Sequence, residues 1–308
     1  MENGESVWLG FFLYLLINRF LPFIRQKEDL EKEEKYKKIL QELRISLNRN
    51  CWDGRWFRRA YMDDGQILGS IENEECRIDS IAQSWSIISG AGDTAKQLIS
   101  MESLENHLVD KENGIIKLLD PPFVNGKLNP GYIKSYLPGV RENGGQYTHS
   151  SVWVIIAEAI LKFGDKSSMF YNMINPIEHS KTKEAANKYK VEPYVISADV
   201  YGSSNLAGRG GWTWYTGSSS WFYKAGIEYI LGFKIENNIL KINPCISREW
   251  KEYSMRYKFG RSIYNIKVKN PNGKNFGVTK ILVNGIEAEN KAIVLKDDGN
   301  VYDIIVEM

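Results

Sequence analysis

The most constraining feature of the sequence is a change of hydrophobic period near residue 233. Before it, apolar residues recur at the spacing of amphipathic helices; after it, apolar and polar residues alternate as in half-buried strands. A chain of 308 residues is long enough for one large domain or two moderate ones. We therefore predict a mainly α fold with a C-terminal β-domain: a helical domain over 1–232 and a small antiparallel β-sandwich over 233–308.

Seven helices are predicted in the first part of the chain. Ser6 can cap a helix that runs to Phe23, with Pro22 kinking or ending it, and 28–49 forms an amphipathic surface helix. Helices joined by long polar loops suit an α/α toroid, in which inner and outer helices pair. An odd number of helices does not close such a ring, which predicts an incomplete barrel. The other five helices are predicted over 78–90, 93–109, 150–163, 166–174 and 217–232.

Turn signals predict several hairpins in the second part. FKIE-NN-ILKIN turns at Asn237–Asn238, and two more hairpins are indicated by ILV-NG-IEA and by the Asp298–Gly299 turn. In SIYNIKVKN, alternate residues from Tyr264 to Val268 share one face of a strand.

Charge and cysteine content exclude several classes of function. Forty basic residues against 38 acidic ones give a net charge of +2, so no overall field favours nucleic acid or an anionic membrane. Cys51, Cys76 and Cys245 lie far apart without the spacing of metal ligands. We interpret them as reduced thiols of a cytoplasmic protein rather than as disulfides or a zinc site.

The apolar run from Val7 to Ile17 could be mistaken for a membrane segment. Its 11 residues would span roughly 17 Å as a helix, against about 30 Å for a bilayer core. No positive charge precedes the run, as a secretory signal would require. A buried core helix is the better interpretation.

Aromatic residues are frequent, with nine Trp, 17 Tyr and 12 Phe. Many of them lie in long glycine-rich connections at 50–75, 120–149 and 193–216, and connections of this length are usually functional or disordered. Their tryptophan and tyrosine content argues against disorder. Such rings either stack on the apolar faces of sugars or fill a large core.

Two short segments carry candidate binding groups. RENGGQYTHSSVW, residues 141–153, places His149 at a helix entrance behind two glycines that let a backbone approach a ligand. YTGSSSW places Thr216 and Gly217 where a helix N-terminus offers free N–H groups to an anion. The alternatives are a satisfied buried histidine and a plain Thr/Ser helix cap. His107 is assigned to solvent and His179 to a structural role.

The loops also carry carboxylates that could act as an acid and a base. An inverting hydrolase needs two such groups, one of them with a raised pKa. The candidates are Asp53, Asp63, Asp64, Glu72, Glu74, Glu75 and Asp79.

Several motifs together resemble glycoside hydrolase family 94, a family of inverting sugar phosphorylases. They cover nearly all of residues 4–308 and occur in the family's order. The resemblance is nearest to 1,2-β-oligoglucan phosphorylases and to the phosphorylase-like end of cyclic β-1,2-glucan synthases; chitobiose and cellobiose phosphorylases are more distant. The motifs are GESVWLGFF, CWDGRWFRRAY, NEECRIDSIAQSWSIISG, LPGVRENGGQYTHSSVW, NPIEHS, KVEPYVISADVYG, GRGGWTWYTGSSSWFY and LGFKIENNILKINPCI.

The resemblance implies a mechanism and a phosphate site. Inorganic phosphate attacks the anomeric carbon of the non-reducing-end sugar while an aspartic acid protonates the glycosidic oxygen, which gives an α-sugar 1-phosphate. By this resemblance His149, Thr216 and Gly217 bind the phosphate. No metal and no organic cofactor is implied, since phosphate is the co-substrate.

The resemblance also implies sugar contacts and a missing acid. Tyr136, Arg141 and Glu142 match positions that hold sugar hydroxyls, with Arg141 where cellobiose phosphorylases tend to carry Lys. The family's general acid lies in a DWND segment upstream of the stretch that matches GESVWLG, so we expect the catalytic Asp to precede Gly4 and to be absent from this chain. The chain would then be the C-terminal portion of an (α/α)6 barrel, about half its helices, followed by the β-domain.

Three functions follow as alternatives. The chain is half of a phosphorylase that acts on β-linked gluco-oligosaccharides, most simply β-1,2-linked ones, once a separately encoded N-terminal half is present. Alternatively, it is a carbohydrate-binding remnant without catalysis. Thirdly, it is an α/α-barrel hydrolase or lyase that uses Glu142 and Asp199 as its carboxylate pair. A homodimer is expected from the family, and neither nucleic acid nor a membrane is an expected partner.

Overall fold

The computed structural model describes residues 3–214 and 216–308, which form two compact units. The first unit extends through Ala157 and also includes Met173–Ser219; the second consists of Glu158–Asn172 and Ser220–Met308. The domain boundary predicted after residue 232 stays a prediction.

The predicted helices are present within a few residues of their predicted ends. One short helix, Lys183–Tyr189, was not predicted, and the last helix continues as a π-helix over Ala225–Ile230. The α-helices of the described residues are α1 Val7–Gln26, α2 Leu30–Asn50, α3 Ser80–Ile88, α4 Thr94–Leu108, α5 Thr148–Ile160, α6 Gly164–Met173, α7 Lys183–Tyr189 and α8 Ser218–Lys224. Short 3₁₀ turns lie at Gly131–Ser135, Glu178–Ser180 and Glu289–Lys291.

Helix α1 differs from its prediction in three ways. It passes through Pro22 and ends at Gln26, so Pro22 does not end it, and Ser6 occupies the N-cap position without a side-chain cap bond. Its burial also differs from the predicted buried core helix, because only one face is buried, with Val7 and Phe11 in the core. By length and composition α1 could also cross a membrane, and 28% of its apolar window is buried inside the protein.

The core of the first unit forms where α1, α2 and α3 meet. Phe11 is fully buried against Phe57, with their ring centroids 5.2 Å apart. Trp8, Trp85 and Trp153 form a stacked and edge-on cluster with centroid distances of 5.2 to 6.2 Å. Such aromatic contacts add to the burial of apolar area. Several tryptophans of the sequence therefore fill a core, which is one of the two roles that the composition allowed.

Two-residue strands tie the loops of the first unit together. In the pair that matters for the candidate site, β8 and β9 align Tyr147 with Asp199. These strands are β1 Glu5–Ser6, β2 Ala60–Tyr61, β3 Ile67–Leu68, β4 Ile78–Asp79, β5 Val109–Asp110, β6 Ile115–Ile116, β7 Leu119–Asp120, β8 Gln146–Tyr147 and β9 Asp199–Val200.

The second unit contains two sheets. Strands β10, β11 and β16 form one, and the other has the order β12-β13-β17-β14-β15. Tyr264, Ile266 and Val268 share a buried face of β13, as predicted. The bounds are β10 Phe233–Glu236, β11 Ile239–Ile242, β12 Glu252–Phe259, β13 Ser262–Lys269, β14 Lys280–Val283, β15 Ile286–Glu287, β16 Ala292–Val294 and β17 Val301–Glu307.

Two predictions about this unit were wrong. The larger sheet is not purely antiparallel, because β17 pairs in parallel with β13 and antiparallel with β14. The Asp298–Gly299 turn does not make a hairpin, because β16 pairs with β11 rather than with β17. The Asn237–Asn238 and Asn284–Gly285 hairpins are confirmed, and all four of these residues have positive φ, as a type I′ turn requires.

Candidate active site

A cavity of about 320 Å³ in the first unit brings together residues from separate parts of the chain. Two of its walls come from the 141–149 segment and from residues 198–217. Its volume is in the range of small-molecule sites. The residues that line it are Arg141, Tyr147, His149, Ala198, Trp212, Thr216 and Gly217.

Backbone hydrogen bonds hold these walls in place. Thr148 N–H donates to the Ala198 carbonyl at 2.9 Å, and Ala198 N–H donates to the Trp212 carbonyl at 2.6 Å. Together with the β8–β9 pairing, these bonds put the first turn of α5 next to the 198–212 loop. The cavity therefore has walls fixed by main-chain contacts, which preorganise its side chains.

His149 lies in the first turn of α5 and faces Gly217. Its ring centroid is 4.6 Å from that of Trp153, and a Cβ added at Gly217 would lie 3.9 Å from His149 Cε1. Burial lowers the pKa of His149 below its ordinary value. The neutral imidazole is therefore the favoured form near neutral pH, and a neutral imidazole donates from one nitrogen and accepts at the other.

Thr216 lies two residues before the first residue of α8 and bonds to the first N–H of that helix. Ser218 N–H donates to Thr216 Oγ1 at 3.1 Å, and the two hydroxyl oxygens are 2.5 Å apart. This is a local Thr turn at the helix entrance, whereas the N-cap that the sequence left open as an alternative would accept from an N–H further into the helix. When Ser218 Oγ is the donor, Thr216 Oγ1 accepts from both the hydroxyl and the N–H of Ser218. The hydroxyl hydrogen of Thr216 is then available to a ligand in the cavity.

Arg141 links the cavity to a cluster of tyrosines. Its guanidinium lies over the Tyr136 ring, 5.2 Å from the centroid, and its Nε is 3.8 Å from Glu142 Oε2. Burial and then the charge of Glu142 raise the pKa of Tyr147 and of Tyr132. The three residues predicted to hold sugar hydroxyls thus lie together, but only Arg141 lines the cavity.

Asp199 is a buried carboxylate directly behind the cavity wall, with 2% of its surface exposed. Its Oδ1 accepts from Trp212 N–H at 3.1 Å, and the backbone of Arg141 acts to lower its pKa. Its Oδ2 has no hydrogen-bond partner among the described residues. Burial raises the pKa of Asp199, so its neutral form is favoured relative to an exposed aspartic acid.

The family follows from comparison with known proteins. Residues 1–232 match the model of the glycosyl hydrolase 94 superfamily catalytic domain, which covers most of the chain. The chain belongs to this superfamily. The resemblance to this family that the sequence motifs indicated is thereby confirmed.

The chain spans less than half the length of the curated relatives that it matches. It is 46% identical over 266 residues to cyclic beta-(1,2)-glucan synthase NdvB of Rhizobium meliloti, covering 86% of this chain and 9% of that protein. It is 28% identical to solabiose phosphorylase of Paenibacillus borealis, covering 99% of this chain and 40% of that protein. A solved structure titled sialidase shares the fold, with a TM-score of 0.56, 14% identity, and coverage of 93% of this chain and 26% of that one.

None of the candidate carboxylates between residues 53 and 79 lines this cavity, and several of them make local structural contacts instead. Asp53 accepts from Arg58, from Ser70 Oγ and from Ile71 N–H, which fixes its own loop. Asp79 caps α3 by accepting from Ala82 N–H and pairs with Arg59 at 2.7 Å. Asp63, Asp64 and Glu75 accept hydrogen bonds from backbone N–H groups. A separate cavity of about 490 Å³ is bordered by Glu72, Glu74 and Glu75.

Two positioning residues were missed from the sequence. Asn143 is fully buried and holds the loop by accepting from Phe123 N–H and donating to the Phe123 and Tyr136 carbonyls. Asp199 was considered only as a catalytic carboxylate. An Asn or Asp within a glycine-rich loop is a weak signal of such a role, because these side chains readily bond backbone groups.

The two remaining histidines lie away from the cavity lining. His107 is exposed, as predicted, and its ring stands edge-on to Trp56. His179 stacks on Tyr189 with centroids 4.8 Å apart, and burial lowers its pKa. Both arrangements fit the roles assigned from the sequence.

Proposed function

We propose that this chain forms the phosphate-binding side, and part of the sugar-binding side, of an inverting glycoside phosphorylase. The substrate is a β-linked gluco-oligosaccharide, and the products are an α-sugar 1-phosphate and a shortened sugar. The observation that carries the proposal is that one cavity is lined by Arg141, His149, Thr216 and Gly217 together. The names of the relatives, one a β-(1,2)-glucan synthase and one a phosphorylase, support it.

The lining fits an anionic nucleophile. The Arg141 guanidinium supplies positive charge, and a neutral His149, the Thr216 hydroxyl and the Gly217 backbone N–H supply donors. Phosphate needs no general base, because it is already an anion when it attacks the anomeric carbon. Attack from the face opposite the leaving oxygen inverts the configuration to α.

The proton donor is proposed to lie outside this chain. Among the described residues, those that line the cavity include no carboxyl group. The leaving oxygen needs a proton from a positioned acid, whose removal typically lowers the rate by 10²–10⁴-fold. We assign this role to the aspartic acid expected in a DWND segment of the N-terminal part of the same barrel. Catalysis then requires that part, either in the same polypeptide or as a separate one, and needs no metal or organic cofactor.

Helix α1 supports the proposal of a partial (α/α)6 barrel. The exposed side chains of α1 recur at intervals of four and three residues, the spacing of a helix that packs on another helix. In this proposal, helices of the N-terminal part cover that face. The exposed residues are Leu9, Leu13, Leu16, Phe20 and Phe23.

The proposal is tested by release of α-glucose 1-phosphate from β-1,2-gluco-oligosaccharides in phosphate buffer. The chain is assayed alone and together with the N-terminal part of a glycosyl hydrolase 94 relative that carries the DWND segment. We expect product only in the combined sample. We also expect His149→Ala and Thr216→Ala to raise the KM for phosphate, by roughly 10-fold or more for a lost hydrogen bond to a charged group.

His107→Ala is the matched control, because His107 is an exposed histidine outside the cavity lining. It should leave the KM for phosphate unchanged. Sugar release that does not depend on phosphate would contradict the proposal and favour the hydrolase. An unchanged KM in both cavity variants would show that phosphate binds elsewhere.

A further inference from the structure

Three large aromatic side chains lie exposed on the loops beside the cavity. Trp212 lines the cavity and is 56% exposed, Trp214 is 70% exposed and Tyr194 is 76% exposed. Trp214 lies two positions along the chain from each of two cavity-lining residues, Trp212 and Thr216. Because a residue spans at most about 3.6 Å of chain, the Trp214 Cα lies within about 7 Å of theirs.

Trp214 is held in one place rather than left loose on the surface. Its indole Nε1–H donates to Glu192 Oε1 at 3.0 Å, and its ring stands edge-on to Tyr194 with centroids 6.3 Å apart. Its backbone has φ of 66°, a left-handed conformation that a bulky residue rarely adopts. Arg141, which lines the cavity, is left-handed as well, with φ of 49°. Strain of this kind concentrates at functional sites.

We infer that Trp214 and Tyr194 form a stacking platform for sugar units of a neutral β-linked gluco-oligosaccharide beyond those held in the cavity. This inference rests on the proposed function, because it takes the cavity as the place where the terminal sugar meets phosphate. The geometry of the cavity does not require a substrate longer than a disaccharide. A preference for longer oligosaccharides would therefore come from the platform.

The chemistry of the platform fits a neutral sugar better than an anion. Indole and phenol rings offer broad, rigid apolar faces at low conformational entropy, with a polar edge for hydroxyl groups. The carboxylate that holds Trp214 carries a negative charge, since the indole bond lowers the pKa of Glu192. A phosphate or an acidic sugar placed beside Glu192 would be repelled, whereas the hydroxyls of glucose can donate to it.

The β-1,2 linkage is the first to test. Among the relatives, the cyclic beta-(1,2)-glucan synthase shares 46% identity with this chain. The full chain is titrated by calorimetry with β-1,2-linked glucobiose and glucotetraose, and with β-1,4-linked glucotetraose in a separate arm. We expect the β-1,2-linked tetraose to bind more tightly than the disaccharide, by roughly 3- to 10-fold for each sugar unit that stacks on an aromatic ring.

The variants separate stacking from folding. Trp214→Ala and Tyr194→Ala should each remove most of the preference for the tetraose and leave disaccharide binding unchanged. Trp214→Phe keeps a ring but loses the bond to Glu192, so it should retain part of the preference. Trp250→Ala is the matched control, since Trp250 is 44% exposed, stands edge-on to Tyr253 with centroids 6.1 Å apart and does not line the cavity.

The result distinguishes the platform from the proposed function. Phosphate binding is measured on the same samples, with His149→Ala as the negative variant. A preference for the tetraose that depends on Trp214 and Tyr194 supports the platform. If phosphate does not bind to the same samples, only the proposed function is contradicted. Equal affinity for disaccharide and tetraose, no tetraose binding, or a preference that survives both alanine variants would overturn the platform. Tighter binding of the β-1,4-linked tetraose keeps the platform and changes the linkage.

Discussion

At the scale of the residue, Asp199 shapes a cavity whose surface it does not form. Its carboxylate accepts the Trp212 N–H from one loop that lines the cavity, and the backbone of Arg141, on the other loop, acts to lower its pKa. Space for it exists because residue 211 is glycine: a Cβ there would lie 2.5 Å from Asp199 Oδ1. Asp199 is therefore a positioning residue, and its protonation is coupled to folding.

The sign of that coupling gives a prediction. Burial raises the pKa of Asp199 above its ordinary value of 3.8, so the folded protein holds this proton more tightly than the unfolded chain does. The associated stability is full below pH 3.8 and is lost as the pH rises through the folded-state pKa. The Asp199→Asn variant keeps an acceptor oxygen but cannot ionise at this position. In urea unfolding across this pH range, we therefore expect the Asp199→Asn variant to lose less stability than the parent as the pH rises.

Asp199→Ala is the control for the same residue. It leaves the Trp212 N–H without its carboxylate acceptor, which should lower the free energy of unfolding by about 0.5–1.5 kcal/mol at every pH. Parallel pH curves for the parent and the Asp199→Asn variant would contradict the raised pKa of Asp199 in the folded state.

At the scale of the element, Asp79 shows why a carboxylate in a family-like motif need not be catalytic. It occupies the N-cap of α3, accepts from Ala82 N–H at 3.0 Å and pairs with Arg59 at 2.7 Å. Asp79→Ala removes a cap, worth about 0.5–2 kcal/mol, and breaks a buried pair, worth about 3–5 kcal/mol when one partner is lost. Asp79→Asn keeps the cap and should lower the free energy of unfolding less than Asp79→Ala.

The free energy of unfolding of these variants is measured by chemical denaturation and compared with that of a variant at a second N-cap position. Asp93 is the N-cap of α4, makes no side-chain cap bond and is half exposed. Asp93→Ala should therefore change stability by less than about 0.5 kcal/mol. In the combined sample of the proposed phosphorylase assay, Asp79→Asn should retain activity. A loss of turnover without a loss of stability would mean that Asp79 contacts the substrate.

Elements with local signals were predictable, and elements that depend on distant pairing were not. The helices and the Asn237–Asn238 hairpin carry their periodicity and turn chemistry within a short window. The parallel pairing of β13 with β17 does not, because it depends on which strand enters the centre of the sheet. In the site, His149 and Thr216 were found by resemblance to a family. The role of Asn143 could not be found, because it depends on which loops meet.

At the scale of the whole molecule, a row of apolar side chains on α1 is exposed rather than packed in the core of the chain. It spans 40% or less of the length of the curated relatives described above. The exposed leucines and phenylalanines of α1 form a contiguous stripe, and contiguous exposed apolar surface marks an interaction site. A helical partner and a membrane are the two environments that such a stripe fits, because α1 is also long and apolar enough to cross a bilayer.

The stripe therefore yields a prediction about assembly. Leu13→Glu combined with Phe20→Lys changes two stripe residues that are 45% and 56% exposed, so the fold of the chain should be retained by circular dichroism. In size-exclusion chromatography with light scattering, we expect less self-association than in the parent. We also expect at least about 10-fold weaker association with the N-terminal part of the proposed barrel, since charges are placed in an apolar contact. Ile45→Glu is the control, because Ile45 is 57% exposed but lies on α2, outside the stripe.

Loss of helix content in the double variant would show that this face belongs to the core of the chain itself. Flotation of the parent with lipid vesicles, abolished by the same double change while association with the N-terminal part is untouched, would assign the stripe to a membrane instead of a barrel.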